Sequence, residues 1–459
     1  ETGGAGGDET TGGKPGGSGG KGGSAGGGGG GSATGGSSGG AGGSATGGSG
    51  GSGGSPTGGS DGAGGSAATG RQFGAHPQQY PMGSIKPAGT QVELDAAVRA
   101  AYDKWKAAYV MAACEGHVVK AGGDLTSSTA LGNGMIITAM MAGHDPEAQT
   151  VFDGMFAVGR KFPSYLSVSV PAKHGIGPRP GNANLLAYAV GAGCKKVSEG
   201  DSATDGDQAF AFGLVLADKQ WGSGGKVNYL DEAKKTIKAI QLYDMNPQKA
   251  PGIGDWASLP GEGMWTTVAK PPNFMLGHLR GFGTATGEAY WMQAVDSTQT
   301  IIADAQTKYS PVAGLFSQYL MGSKNLPGGN TVLPEDRNAR DFFDDAALIP
   351  LWLAADYLGS GDARSKAALT RINDWIKGKT GGDPGKIVDG YRLNGDPIGT
   401  KGTMAYVAPF ATVAIFDAAN QAWLDAAWKL MTAAPTTNQV ADTTNLLGML
   451  IVTGNWWQP

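Results

Sequence analysis

Apolar residues recur three and four positions apart along most of the chain after residue 90. Between Val92 and Met111 they fall at Leu94, Ala97, Val98, Ala101, Trp105 and Tyr109, one stripe of a helix with about 3.6 residues per turn. The same spacing predicts helices over 130–142, 147–161, 207–218, 231–243, 273–286, 289–306, 342–358, 364–377, 403–417, 421–432 and 440–453. Gly, Pro and Asn fill the loops between them. About twelve helices result. Period-two alternation is scarce, so little β-structure is expected. A dozen helices suit a double ring, with inner helices lining a cleft and the loops at one end carrying the site. No internal repeat is apparent.

The first 70 residues break this pattern. They hold 36 of the 82 glycines and no Leu, Ile, Val, Met or aromatic residue, so they cannot bury a core. Three G-G-S triplets run from Gly47 to Ser55, and the phase slips at Ala33-Thr34, Ala45-Thr46 and Pro56-Thr57. One reading is a flexible linker. Another follows from the period of three. A polyproline II helix turns once in three residues, so each third side chain lies on one edge and two bare glycine edges are free to pack against other chains. Extended in that form, the tail spans about 220 Å at ~3.1 Å per residue. Surface tethering or self-association through residues 1–70 is the expectation. Residues 71–91 then connect to a globular part over 92–459.

All 11 Trp, 13 Tyr and 13 Phe lie beyond residue 70, enough for one large domain or two ordinary ones. The net charge of −4 argues against a nucleic-acid partner, which calls for a basic face. No apolar run is long enough to span a membrane. No signal peptide is visible, and a repeat beginning at Glu1 fits a processed secreted protein or a surface linker, so an extracellular, bacterial-type location is expected. His117, His144, His174 and His278 show no metal-ligand spacing, and no dinucleotide or P-loop fingerprint follows a strand. No cofactor or metal is expected. Cys114 and Cys194 are too isolated for a zinc site and pair as a disulfide if the protein is extracellular.

Ser202 to Trp221 reads S-A-T-D-G-D-Q-A-F-A-F-G-L-V-L-A-D-K-Q-W. This resembles the signature of glycoside hydrolase family 8, A-[ST]-D-[AG]-D followed by an alanine-rich helix ending in Trp. Phe152-Asp153-Gly154, Gly254-Asp255-Trp256, Phe274-Met275 with His278, Ala313-Gly314-Leu315 and Thr453-Gly454-Asn455-Trp456-Trp457 resemble family segments in the same order. The resemblance covers roughly residues 92–459 and implies an all-α fold, an (α/α)6 barrel, with a cleft for β-1,4-linked glucan, xylan or chitosan. It also implies inverting hydrolysis. One carboxylic acid then protonates the leaving oxygen while a carboxylate activates water on the opposite face.

The site segments depart from that pattern. The family's acid is the Glu of an S-E-x-x-G-Y-G-M segment; here Ser128-Thr129-Ala130-Leu131-Gly132-Asn133-Gly134-Met135 keeps the register, with Thr129 in the place of Glu and Asn133 in the place of Tyr. A hydroxyl cannot serve as a general acid near neutral pH. Glu115 is the nearest other glutamate and reads as an ordinary surface residue. R-x-S-D appears as Lys270-Pro271-Pro272-Asn273, G-L-x-P-D as Gly314-Leu315-Phe316-Ser317-Gln318, and D/N-A-x-R-x-P-W-R as Asp345-Ala346-Ala347-Leu348-Ile349-Pro350-Leu351-Trp352. The Trp of a family M-A-W segment is matched by Tyr188.

By the resemblance, Asp345 is the candidate base and Asp205 the candidate sugar-positioning residue. Asp207, Tyr188, Asn133, Asn273, Gln318 and Trp256 are candidate substrate contacts. Bland roles stand beside these. Asp205 and Asp207 at a helix start also suit capping and the helix dipole; Trp256, Trp265, Trp291 and Trp352 are sugar platforms or core. Packing residues such as Phe152, Leu214, Trp221, Pro350 and Trp456-Trp457 are kept while site residues change. The expectation is an extracellular structural or carbohydrate-binding protein on a family 8 barrel that has lost its acid. The alternative is an active secreted inverting endo-β-1,4-glycosidase on plant or bacterial polysaccharide.

Overall fold

The computed structural model describes residues 70–75, 78–197, 200–328 and 338–459. The tail readings for residues 1–70 therefore fall, apart from Gly70, outside the described residues. Twelve α-helices occur among the described residues: α1 (Gln91–Tyr109), α2 (Ser128–Met140), α3 (Ala148–Lys161), α4 (Thr204–Trp221), α5 (Tyr229–Tyr243), α6 (Leu276–Thr286), α7 (Ala289–Tyr309), α8 (Ile349–Ser360), α9 (Ala363–Thr380), α10 (Met404–Thr412), α11 (Gln421–Ala433) and α12 (Gln439–Val452).

Even-numbered helices form an inner ring. Each packs on the next, α2 on α4, then α6, α8, α10 and α12, and α12 closes the circle on α2. Each odd-numbered helix covers the inner helix beside it, α3 on α2, α5 on α4, α7 on α6, α9 on α8, α11 on α10 and α1 on α12. This is an (α/α)6 barrel. The inner helices are buried nearly all round: in α4 only Asp205 and the last residues escape full burial. The outer helices are amphipathic. In α1, Leu94, Val98, Tyr102 and Trp105 are buried while Glu93 and Lys104 face solvent. A capping box starts α1, with Thr90 accepting from the Glu93 amide and the Glu93 carboxylate accepting from the Thr90 amide, satisfying donors that a helix start leaves free.

Several expected helices differ at their ends, three of them at prolines. Residues 342–358 are helical only from Ile349, after a 3-10 turn at Asp344–Leu348. Pro350 lies in the first turn of α8, where its missing N–H is no loss. Pro271 and Pro272 likewise form a 3-10 turn, so α6 starts at Leu276 rather than at 273. Helix α10 stops at Thr412 rather than 417, three residues beyond an internal proline, Pro409.

The β-structure is confined to short pieces at the loops. β1 (Val110–Ala113) and β2 (Gly116–Val119) form a hairpin whose turn residues Cys114 and Glu115 both have positive φ, 55° and 67°, as a tight hairpin turn of matched twist requires. β3 (Thr126–Ser127), β4 (Ala189–Gly191) and β5 (Lys195–Lys196) form a three-stranded sheet. The Cys114–Cys194 disulfide joins the two turns. β6 (Leu320–Met321) pairs with β7 (Leu326–Pro327). Residues 78–90 run across the barrel: the Ile85 amide donates to the Ile415 carbonyl and the Tyr80 hydroxyl to the Ile451 carbonyl.

Candidate active site

The N-terminal ends of inner helices and the turns before them converge at one end of the barrel. β3 leads directly into α2. Ser127 pairs with Ala189 of β4 and caps α2 by accepting from the Ala130 amide at 3.1 Å. Every residue of α2 except Thr129 is buried, so this side chain alone leaves the packed surface. Its hydroxyl donates to Asp205 Oδ2 at 2.7 Å. Asp205 sits in the first turn of α4, half-buried.

Glycine makes this contact geometrically available. A Cβ on Gly132 would lie 2.6 Å from Ala209 Cβ, and one on Gly206 would lie 2.1 Å from Ser128 Oγ. Helices α2 and α4 therefore meet backbone to backbone at their N-terminal ends, and any side chain at either position would push Thr129 and Asp205 apart.

Lys270 and Asp345 complete the cluster. Lys270 precedes the proline turn before α6, and its side chain is only 13% exposed; its Nζ meets Asp345 Oδ2 at 3.2 Å, and the Asp345 side chain is 54% exposed. Burial alone would lower the Lys270 ammonium, but the carboxylate charges of Asp345 and Asp205 help to outweigh it and hold the pKa above the usual lysine value. The residue before the base candidate, Asp344, has φ +45°, a left-handed backbone that non-glycine residues adopt at a cost of about 1–3 kcal/mol and that clusters at functional sites. Its amide donates to the Tyr406 hydroxyl at 3.0 Å, which ties the turn to the start of α10.

Trp256 and Trp265 are half-buried and meet edge to face at 5.3 Å. They pack with Met321 against the buried set Ile253, Val268, Tyr319 and Ala339. Asn133 lies one turn beyond Thr129 on α2, 7% exposed, and its Oδ1 has no donor. Tyr188 is half-buried, and its carbonyl accepts from the Ser128 amide at 2.9 Å.

Other expected site residues lie beneath this surface. Asp207 is fully buried and accepts from the Leu186 amide at 2.7 Å. Positions two apart on a helix point about 200° apart, so Asp205 faces the cleft and Asp207 faces the core. Asn273 is fully buried, its Nδ2 donating to the Gly252 carbonyl at 2.7 Å. Gln318 is 2% exposed. None of these three presents a side chain to a sugar in this structure, contrary to the expectation of substrate contact. Trp291 and Trp352, 0% and 1% exposed, are core and not platforms. Glu115 is exposed at the hairpin turn and pairs with Lys161 at 2.9 Å, a surface glutamate as expected.

Lys270 is the main residue that the sequence reading did not place in the site. Its signal was position: by the resemblance, it stands where the family segment has Arg. Among the described residues no group of His, Cys, Asp and Glu is arranged to hold a metal ion, and no helix is long and apolar enough to cross a membrane. His278 lies inside the barrel, stacked on Phe212 at 4.0 Å and edge-on to Trp352 at 5.2 Å. Burial pushes it down to about 3, so it is a neutral core residue.

Comparison with known proteins bears on the family and the fold. The sequence model of glycosyl hydrolases family 8 matches residues 80–453. A beta-glucanase of Niallia circulans is 37% identical over 385 residues, covering 82% of this chain and 89% of its own. An endoglucanase of a Bacillus strain is 35% identical, covering 82% and 80%. The apo structure of a beta-1,3-1,4-glucanase from a Paenibacillus strain superposes with a TM-score of 0.78 at 35% identity, covering 84% of this chain and 99% of its own. A Paenibacillus barcinonensis protein solved with xylose shares the fold at 16% identity, with a TM-score of 0.66 over 83% of this chain and 98% of its own.

Proposed function

The chain belongs to glycosyl hydrolases family 8, and from that premise we propose that its cleft takes a β-linked glucan chain but breaks it slowly, because its proton donor is missing. The observation that carries this reading is the contact between Thr129 and Asp205. The residue at the acid position is a hydroxyl whose hydrogen is committed to a neighbouring carboxylate. It can orient Asp205 toward a sugar hydroxyl, but it has no proton to hand to a departing oxygen. Asp345 remains as a carboxylate open to the cleft, suited to activating water. Trp256 and Trp265 offer apolar planes to sugar ring faces, and Asn133 Oδ1 waits for a donor. Loss of the acid alone lowers the rate by about 10²–10⁴-fold. A β-glucan is favoured over other polysaccharides because the relatives at 35–37% identity are named as glucanases. The disulfide suits an oxidising, extracellular setting.

Reducing ends released from mixed-linkage glucan, cellulose, xylan and chitosan, with calorimetric titration of cellohexaose and xylohexaose, test this. Binding of cellohexaose with little release supports the reading. Turnover of an ordinary glycosidase removes it, and absence of heat at millimolar oligosaccharide leaves a structural role only.

A second reading, a fully active inverting endo-β-1,4-glucanase, is favoured by the extent of the match: the relatives named as glucanases align over most of their own length. In that case Asp345→Asn abolishes release of reducing ends, and an unchanged rate rejects Asp345 as the base.

A further inference from the structure

Three carboxylates lie together under the cleft, each from a different segment. Asp207 is on α4, Asp244 follows the last residue of α5, and Asp255 begins the 3-10 turn that carries Trp256. Their exposures are 0%, 2% and 0%. Asp255 is well supplied with donors. Its Oδ1 accepts from the Ser202 amide at 2.8 Å, and its Oδ2 accepts from Asn182 Nδ2 and the Ser164 hydroxyl. Asp207 Oδ1 accepts from the Leu186 amide, and Asp244 Oδ1 accepts from the Ser202 hydroxyl at 3.1 Å. The remaining oxygens, Asp207 Oδ2 and Asp244 Oδ2, find no donor among the amides and hydroxyls around them.

The surroundings hold little positive charge to balance them. Arg160 on α3 feels the charge of Asp207, but its guanidinium is engaged by Glu232 of α5 at 2.8 Å, the Asn184 carbonyl and Thr236. Ser202, Asn182 and Ser164 are neutral. Two buried carboxylates cannot both stay charged at contact distance without a cation. Burial, and then the neighbouring charges, raise both Asp207 and Asp244 well above the usual carboxylate range.

We propose that Asp244 carries a proton it donates to Asp207, and that this shared proton, with Asp255, clamps α4, the end of α5 and the turn before Trp256 together, setting the positions of Asp205 and Trp256 above. Asp205 lies two residues from one clamp member and Trp256 is adjacent to another. These are positioning residues: none of the three reaches the cleft. Gly254 shows how tight the seam is, since a Cβ there would lie 2.2 Å from the Ser202 carbonyl oxygen.

The clamp is lost as pH rises. Its proton is bound in the folded chain and released in the unfolded one, so between the unfolded carboxylate value and the folded one each pH unit shifts the equilibrium about tenfold toward unfolding. Asp244→Asn replaces the proton with an amide N–H that donates to Asp207 at every pH. Urea unfolding of parent and variant from pH 5 to 9 is the test, with hydrogen exchange of peptides covering 200–208 and 252–259 read as protection factors. The expected result is a folding equilibrium that falls about tenfold per pH unit in the parent relative to Asp244→Asn, with protection lost first in those two peptides. Should Asp244→Asn fail to fold, Asp207→Asn serves, since its amide donates to Asp244 and its oxygen still accepts from Leu186. Parallel pH curves for parent and variant overturn the proposal, as does loss of protection spread evenly over the chain. Neither readout depends on hydrolysis.

Discussion

Thr129→Glu places a carboxyl at the one position of α2 that is not buried. The longer side chain projects into the cleft, so it meets no packed core. It stands beside Asp205, the present partner of the Thr129 hydroxyl at 2.7 Å. Two unit charges about 4 Å apart at an effective dielectric near 20 repel by about 4 kcal/mol, equivalent to roughly three pKa units. The Lys270 ammonium and the N-terminal end of α2 offset part of this, the helix end by about 0.3–1 kcal/mol. A rise of about one to two units above the ordinary glutamate value remains, which suits a general acid near neutral pH. The lost hydrogen bond to a charged acceptor lowers stability by roughly 1.5–3 kcal/mol. Reducing-end release from mixed-linkage glucan should increase by about 10²–10⁴-fold. A variant that folds, binds cellohexaose as the parent does and gains less than about tenfold refutes the reasoning, because proton delivery would then not be the missing element.

Three further outcomes follow from other parts of the molecule. Lys270→Met removes the cation beside Asp345; since Asp345 is 54% exposed, the stability loss should be about 1 kcal/mol or less, read as a urea midpoint close to the parent's. A loss several times larger contradicts a solvent-screened pair. Cys114→Ser opens a loop of 80 residues and should lower stability by about 4–5 kcal/mol in the chain-entropy account, read as an urea midpoint that matches the parent in reductant. His278, held down to about 3 by burial, is neutral when folded and protonates when unfolded below about 6.5. Its contribution is present above that value and falls by about 1.4 kcal/mol per unit as pH drops toward 3. His278→Phe should flatten the acid side of the stability curve, and an unchanged slope between pH 6 and 4 contradicts this.

The helices were legible because the outer ring has one wet face and the inner ring is long, apolar and punctuated by Gly and Pro. Boundaries were less so. Helix α2 begins at Ser128 rather than 130 because Ser127, Ser128 and Thr129 are all acceptable caps and only the β3–β4 pairing selects Ser127. The turn at Asp344–Leu348 was absorbed into a helix since its composition is helical; Phe342 pairing with Tyr391 holds the preceding chain extended. Within the site, Thr129 and Asp205 stood out through the signature and the S-x-x-x-G-x-G-M register. Asp207 looked equivalent to Asp205, and only the rotation of the helix separates them. Lys270 and Asp345 are 75 residues apart in sequence, and no local pattern signals that they meet. The buried clamp was invisible for the same reason: Asp207, Asp244 and Asp255 belong to three segments.

Cleavage of a glucan chain requires a proton for the leaving group, and one comparison measures directly whether the cleft supplies it. β-Cellobiosyl fluoride releases fluoride without protonation, needing only water activated by a base, whereas cellohexaose needs both. The rate of fluoride release relative to the rate of cellohexaose cleavage by the unmodified chain should be large, with fluoride release lost in Asp345→Asn. Equal rates on the two substrates would mean that a proton donor is present in the cleft after all.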